Sequence, residues 1–254
     1  MIIVLIIIAA LFFIGAIFYK QSVQEYRINQ IDWEQRHELD GLLEEKVPVV
    51  IRGIPAAPVW THGDVMMRDF YGTEIPPGSK QPLRDLLLNG ALPAEGSIKW
   101  PRTYRRHLYH NCALELWFEG TWAPILGGTR GFITSQIPVE GECFAGDQGL
   151  MEAKASWTLI APTEGAIIVN ILAAKEKKWL PPRWQDMQPS KMTAATAPYI
   201  SQMKYMDIIV RPGTGLWIPT HWLVSWTAKD EGTVPLVATL QLHNPISWLA
   251  TRGT

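Results

Sequence analysis

The N-terminal part of the chain is continuously apolar. The first nineteen residues, MIIVLIIIAALFFIGAIFY, carry no charged side chain. A helix of this length, at about 1.5 Å per residue, nearly crosses a bilayer core of about 30 Å. The segment starts without Lys or Arg and lacks an A-x-A-like cleavage site, so it does not resemble a secretory signal. We therefore predict an uncleaved transmembrane helix over residues 1–19.

The next segment mixes charged and apolar positions. KQSVQEYRINQIDWEQRHELDGLLEEK, residues 20–46, spaces its few apolar side chains among many charges, which is typical of a solvated helix. Asp40 is a suitable N-cap for a second short helix. The pattern predicts a helical stalk over residues 20–46.

From residue 47 the pattern changes to short apolar runs between Gly and Pro turns, which is typical of an all-β sandwich or barrel. The runs predicted as strands are VPVVIRG, LELWFEG, GFITSQI, SWTLIAP, AIIVNILA, MDIIVRPG, GLWIP and VPLVATLQL. QPLRDLLLNG is predicted as one of a few helices, and the glycines of ILGGTRGF as a hairpin turn. We expect a single, mainly β domain over residues 47–254.

Charge and cysteine content narrow the function classes. With 23 basic and 24 acidic residues the net charge is −1, so the chain has no electrostatic basis for binding nucleic acid. Its two cysteines, Cys112 and Cys143, are too few for a disulfide framework and are expected to be buried or free thiols. Lys20 and Arg27 follow the apolar segment and no positive charge precedes it, which favours an outer N-terminus and a C-terminal domain on the cytoplasm-equivalent side.

Several segments resemble the JmjC-type branch of the cupin superfamily, the double-stranded β-helix hydroxylases and demethylases related to factor inhibiting HIF. The resemblance extends over about Leu39 to Trp248 and implies a jelly-roll (cupin-like) barrel with a few flanking helices. VPVVIRGIPAAPVW resembles the family's opening strand, and DFYGTEI with PLRDLLLNG its next strand and short helix. AIIVNILAAKEKKWLPP resembles a strand pair that ends in a basic turn and a double proline. RPGTGLWIPTHWLVSW is similar to the strand that carries the family's second metal-binding histidine.

The resemblance implies a metal site whose ligands are missing. Active members hold Fe(II) with a His-x-Asp/Glu pair and a distal His, which leave open positions for 2-oxoglutarate and O₂. Counting back from the double proline places the pair on Ile160, Ala161 and Pro162, and the distal position falls on Val224. None of these side chains binds metal. We therefore predict a degenerate metal site and no cofactor.

The resemblance also implies one residue that could bind 2-oxoglutarate, and the sequence offers an alternative set of metal ligands. Lys175 stands where the family's lysine can grip the far carboxylate of 2-oxoglutarate, although a lysine in KEKK is equally typical of a solvated turn. A two-residue slip brings Glu164 to the acidic position. With His221 and His243 it could form a relocated Fe(II)/2-oxoglutarate site. His221 lies three residues before Val224, which would turn it to the opposite face of a regular strand.

A second donor-rich segment is RHLYHNCALELWFEG. It offers imidazole, thiol and carboxylate groups, but their spacing fits no standard zinc pattern, and ALELWFEG alternates like a half-solvated strand. A histidine-containing loop followed by a strand is therefore the preferred interpretation, with a metal site as the alternative. The donors are His107, His110, Cys112, Glu115 and Glu119.

Together these features predict a membrane-anchored, catalytically inactive JmjC/cupin-like domain. We expect it to act as a structural or interaction subunit of a membrane-associated assembly, such as a viral capsid with an inner membrane or an organellar complex, with the viral setting favoured. Its expected partners are the membrane, through residues 1–19, and other protein subunits. The alternatives are an Fe(II)/2-oxoglutarate-dependent oxygenase with non-standard ligands, and a metal-free barrel that binds a sugar or another small molecule.

Overall fold

A computed structural model of the 254-residue chain provides the three-dimensional structure. It describes residues 2–20, 26–88, 100–122, 126, 137–185 and 187–244. The predicted hairpin turn in ILGGTRGF and the first part of GFITSQI lie outside these residues, apart from Leu126. The fold that follows concerns the described residues.

The domain is mainly β, with two sheets and a few flanking helices, in agreement with the predicted class. The strands are β1 Asn29–Asp32, β2 Val49–Arg52, β3 Ile137–Ala145, β4 Gln148–Glu152, β5 Trp157–Glu164, β6 Ile167–Leu172, β7 Met206–Val210, β8 Thr214–Pro219, β9 Leu223–Ala228 and β10 Leu236–His243. The α-helices are α1 Ile2–Lys20, α2 Leu39–Glu44, α3 His62–Met67, α4 Asp69–Gly72, α5 Leu83–Leu88, α6 Arg102–Asn111 and α7 Leu114–Thr121. Short 3₁₀ helices cover Trp33–Glu38, Ala174–Trp179, Pro189–Lys191 and Ile200–Gln202.

The two sheets pack face to face. One has six strands in the order β1-β2-β8-β5-β10-β3, and the other has four in the order β4-β9-β6-β7. Their facing sides share one buried apolar cluster, to which both sheets contribute. We call this cluster the sandwich interior; its buried members are Val50, Phe144, Ala153, Ile160, Ile167, Val169, Ile171, Ala173, Val210, Leu216, Ile218, Trp222, Val224, Trp226 and Val237.

Both sheets are also covered on their outer faces. Helices α2 to α7 contribute to a second cluster against the six-stranded sheet, in which Trp217 of β8 packs edge to face on Trp122 at 5.2 Å between ring centroids. A third cluster joins Leu172 and Leu223 of the four-stranded sheet to Trp184. Because β5 is covered on both sides, seven of its eight positions are buried and its sequence is almost continuously apolar.

Two predicted strands are helical instead. LELWFEG forms α7, which buries Leu114 and Phe118, four residues apart on one helical face, and leaves Leu116 69% exposed. The apparent alternation in this segment reflects a narrow apolar stripe, since positions i and i+4 share a helix face. DFYGTEI likewise begins with α4, whereas QPLRDLLLNG contains the predicted helix, α5.

The predicted helical stalk begins with a strand in its described part, whereas the predicted second short helix is present as α2, with Glu38 and not Asp40 as its N-cap. Among its described residues, Asn29–Asp32 form β1, which pairs in parallel with β2 and extends the six-stranded sheet. Leu39 and Leu43 of α2 are buried in the helix-covered core. The charged side chains described in this segment lie mostly on the solvent side of β1, the 3₁₀ helix and α2, whose apolar side chains pack into the domain.

The segment RPGTGLWIPTHWLVSW contains two strands, β8 and β9, that belong to different sheets. β8 belongs to the six-stranded sheet and β9 to the four-stranded sheet, so the chain crosses between the sheets at Thr220–Trp222. His221 has a φ of 69° in this crossing. The prediction that His221 faces the opposite side of the strand from Val224 assumed a regular strand. The left-handed backbone at His221 interrupts that strand, so the assumption does not hold.

The apolar N-terminal segment forms α1, a helix of 19 residues. Its described large side chains are exposed, including Ile3 at 73% and Phe13 at 71%. No helix in the described part of the chain combines the length and the apolar composition that a membrane crossing requires.

Candidate functional site at the rim of the sandwich

Apolar side chains packed in the domain occupy the predicted ligand positions. Ile160 and Pro162 lie on β5 and Val224 lies on β9, and these strands belong to different sheets. Ile160 and Val224 are fully buried in the sandwich interior, whereas Ala161 faces the helix-covered side. Ile160 and Val224 therefore have a packing role in the sandwich interior.

Lys175 lies at the rim, in the 3₁₀ helix after β6. Its Nζ is 4.9 Å from the centre of the Tyr26 ring, a distance typical of a cation–π contact. Tyr26 in turn packs edge to face on Trp222 with 6.0 Å between ring centroids. The predicted cofactor lysine therefore lies over an aromatic plug formed by Tyr26 and Trp222.

The alternative metal ligands Glu164, His221 and His243 are spread over the domain. Glu164 pairs with Leu236 at one end of β10 and His243 is the last residue of that strand, so about 23 Å of extended chain separates them. His221 lies at the other end of β5 from Glu164, because Thr220 N donates to Ser156 O at 3.2 Å. Glu164 instead contacts His62, with 3.6 Å between Nδ1 and Oε1.

The rim does contain a charged cluster that the sequence interpretation missed. Glu152, at the end of β4, accepts from Lys177 Nζ at 2.9 Å and lies 3.5 Å from His221 Nδ1. The crossing is held there, since His221 N donates to Ala153 O at 2.7 Å. Lys177 also lies 5.4 Å from the centre of the Trp184 ring. The cluster links the crossing, the end of β4 and the basic turn. In the sequence, the only indication of this cluster was the single carboxylate in the apolar segment GLMEA.

The cluster predicts acid sensitivity. The hydrogen bond with His221, and next the one with Lys177, lowers the pKa of Glu152 from 4.5 to about 2. A carboxyl with a lowered folded-state pKa stabilises the fold above its unfolded pKa, and this stabilisation is lost as the pH falls from about 4.5 to about 2. We expect Glu152→Gln to lower the free energy of unfolding by on the order of 2 kcal/mol near neutral pH.

Urea unfolding at several pH values checks this prediction. The difference between the wild type and Glu152→Gln should shrink as the pH approaches 2. Glu34→Gln, at an exposed position, is the matched control and should leave the curve unchanged. A difference that stays constant across this range would contradict the role of the Glu152 carboxylate.

The donor-rich segment near His107 is also divided. His107 Nε2 contacts Glu74 Oε1 at 3.0 Å, and His110 Nδ1 contacts Glu115 Oε2 at 3.3 Å, both on the exposed side of the helices. Cys112 points inward and its Sγ lies 3.7 Å from that of Cys143. Both thiols are free and buried, as expected. Over the described residues, no group of three or more His, Cys, Asp or Glu side chains is placed to hold a metal.

A buried ionic network fixes α6 to the edge strand β3. Glu142 is 3% exposed and accepts from Arg102 Nε and Arg105 Nε, each at 2.7 Å. His243 lies beside this network. The pKa of His243 is lowered, mainly by burial. The carboxylate of Glu140 acts in the opposite direction, and the positive charges of Arg102 and Arg106 lower the pKa further. The network positions α6, and the sequence alone did not indicate it because its members are far apart in the chain.

A shallow cleft lies outside the sandwich, on the helix-covered side. It lies between the Ile54–Ala57 loop, Trp117 and the Ala161–Thr163 part of β5, and its cavity volume is about 10 Å³, which is room for about one water molecule. Trp117 Nε1 already donates to Pro55 O at 3.1 Å. The cleft is therefore mostly apolar, and its indole donor is engaged within the protein.

Comparison with known proteins leaves the family open. No protein-family model matches the sequence, and no curated protein matches it. Among solved structures, the chain is similar to the crystal structure of Drosophila melanogaster CENP-C bound to CAL1, with a TM-score of 0.26 and 13% sequence identity. This similarity covers 40% of this chain and 58% of that chain. It is too weak to support a conclusion about fold or function.

Proposed function

We propose that the chain is a membrane-anchored, catalytically inactive domain of the double-stranded β-helix (JmjC/cupin-like) type. In this proposal it serves as a structural or interaction subunit of a membrane-associated assembly, with residues 1–19 as its anchor. The observation that carries the proposal is the filled sandwich interior, where Ile160 and Val224 occupy the expected ligand positions. An oxygenase needs open space beside its metal for 2-oxoglutarate and O₂.

The rim supports the same proposal. Trp222 is 1% exposed and, with Tyr26, fills the end of the sandwich near Lys175. An aromatic plug at this place also disfavours a metal-free barrel that takes a sugar into its mouth, since ligand sites are concave. An interaction role is supported by large apolar side chains at the surface of the helical layer, such as Met67, 85% exposed, and Leu88, 67% exposed.

Metal content and turnover test the proposal. The full chain, extracted from membranes in mild detergent, is incubated with Fe(II) and 2-oxoglutarate, desalted, and assayed for bound iron and for succinate. We expect far less than one iron per chain and no 2-oxoglutarate-dependent succinate. Stoichiometric iron with succinate formation, both lost in His221→Ala but retained in the exposed-site control His37→Ala, would overturn the assignment of an inactive domain.

A further inference from the structure

The rim around Tyr26 has a lysine-rich, aromatic surface. Lys175, Lys178 and Lys204 are exposed there, and Tyr199 and Tyr205 are 54% and 39% exposed. Lys178 Nζ lies 4.6 Å from the centre of the Trp179 ring, and Trp179 lies 5.9 Å from Tyr199 between ring centroids. We call the set Lys175, Lys178, Trp179, Tyr199, Lys204 and Tyr205 the lysine–aromatic face.

Hydrogen bonds hold this face together and attach it to Tyr26. Tyr26 Oη donates to Lys204 O at 2.7 Å. Lys204 N donates to Glu176 Oε2 at 3.0 Å. Glu176 is 5% exposed, so its carboxylate lies beneath the surface while the lysines lie at it. The face therefore presents ammonium groups and aromatic rings outward on a fixed backbone.

A short stretch of chain connects the end of α1 to Tyr26, which packs at this face. Six residue steps separate Lys20, the last residue of α1, from Tyr26. Whatever path these residues take, they span at most about 20 Å. If α1 is embedded in a bilayer, as the proposed function requires, Tyr26 and the side chains around it lie within that distance of the membrane surface.

We propose that the lysine–aromatic face binds the anionic phospholipid headgroups of the membrane in which α1 is anchored. This inference rests on the proposed function. The chemistry of the face fits a lipid surface, because lysines near a membrane are attracted to anionic headgroups and Trp and Tyr are enriched at the membrane–water interface. The tether favours this partner over an acidic protein, since it limits the distance between Tyr26 and the membrane surface to about 20 Å. Headgroup contact would fix the orientation of the domain on the membrane.

Lysine reactivity in vesicles tests the inference on the full chain. The protein is reconstituted into phosphatidylcholine vesicles with and without phosphatidylserine, acetylated briefly, and analysed by mass spectrometry. With phosphatidylserine we expect the reactivity of Lys178 and Lys204 to fall about fivefold. At 1 M salt the reactivity should recover, because the screening length is then about 3 Å.

The controls lie on other faces of the domain. Lys80 is exposed on the helical layer, and Lys229 N donates to Ala166 O at the opposite end of β6 from the lysine–aromatic face. Both should react equally in the two vesicle types. In a second experiment, Lys178→Glu with Lys204→Glu should remove the protection at Lys175, and Lys80→Glu with Lys229→Glu should not. Equal reactivity of Lys178 and Lys204 in both vesicle types would overturn the inference.

Alkaline extraction of the same vesicles separates the two proposals. A chain that stays in the vesicles but shows no lipid-dependent protection refutes only the headgroup contact. A chain that is released by alkali is not anchored by α1, and both the anchor and the headgroup inference then fail. Retention together with protection supports both.

Discussion

The substitution Gly141→Ala is expected to destabilise the domain by about 3 kcal/mol, because it forces a methyl group into a filled contact. A Cβ at position 141 would lie 2.2 Å from two carbons of the Tyr109 ring. Tyr109 is 2% exposed on α6, so its ring has no free space into which to move. The helix would have to shift away from β3, against the ionic contacts of Glu142.

Thermal and urea unfolding measure this effect, and two further variants sharpen it. Gly120 in α7 has no neighbour within 4 Å of an added Cβ, so Gly120→Ala should be neutral or stabilising by up to about 1 kcal/mol. Tyr109→Ala combined with Gly141→Ala should be less destabilised than the sum of the single variants. If the two effects were additive, the cost of Gly141→Ala would not arise from a clash with the Tyr109 ring, which would contradict the prediction.

The substitution Trp222→Ala is expected to cost about 3–5 kcal/mol, because it removes a large buried side chain and leaves a cavity. Trp222 is 1% exposed, belongs to the sandwich interior and contacts the Tyr26 ring. Its loss opens the end of the sandwich where the resemblance implies a cofactor. The decrease should appear in the free energy of unfolding obtained from urea titration.

Trp179→Ala is the matched control, since Trp179 is only partly buried at the same rim. It should cost about 1 kcal/mol, the size of an exposed aromatic contact. We also expect that 2-oxoglutarate does not raise the melting temperature of Trp222→Ala, because the new space is lined by apolar side chains. Similar losses in the two variants would mean that Trp222 is not the plug of the sandwich.

Most strands of the domain were predictable from local sequence, because Gly and Pro turns mark their ends. β2, β6 and β7 lie within predicted runs, and β5, β8 and β10 overlap predicted runs and extend one or two residues beyond them. The errors arose where local pattern and tertiary packing disagree. The spacing of Leu114 and Phe118 is compatible with both an alternating strand and one face of a helix. Their packing against α6 and the sheet favours the helix, and this packing is not visible in the sequence.

The candidate site was less predictable than the strands. The metal positions were counted along the sequence without knowledge of the sheets, and Ile160 and Val224 lie on different sheets that share one buried apolar interior. Glu152 meets His221 only because the chain crosses between the sheets at a left-handed residue. Such a contact depends on long-range topology, which a single sequence does not encode in any local pattern.

The pairing of β2 has a consequence for the synthesis of the protein. Arg52 of β2 pairs with Thr214 of β8, and β10, near the C-terminus, joins β3 to β5. A ribosome releases α1 and β2 long before these partners, so the six-stranded sheet cannot close until β10 has been synthesised. Pairing over such sequence distances is slow and leaves strand edges open. Nascent chains should therefore depend on chaperones, and C-terminal truncations that remove β10 should accumulate as aggregates.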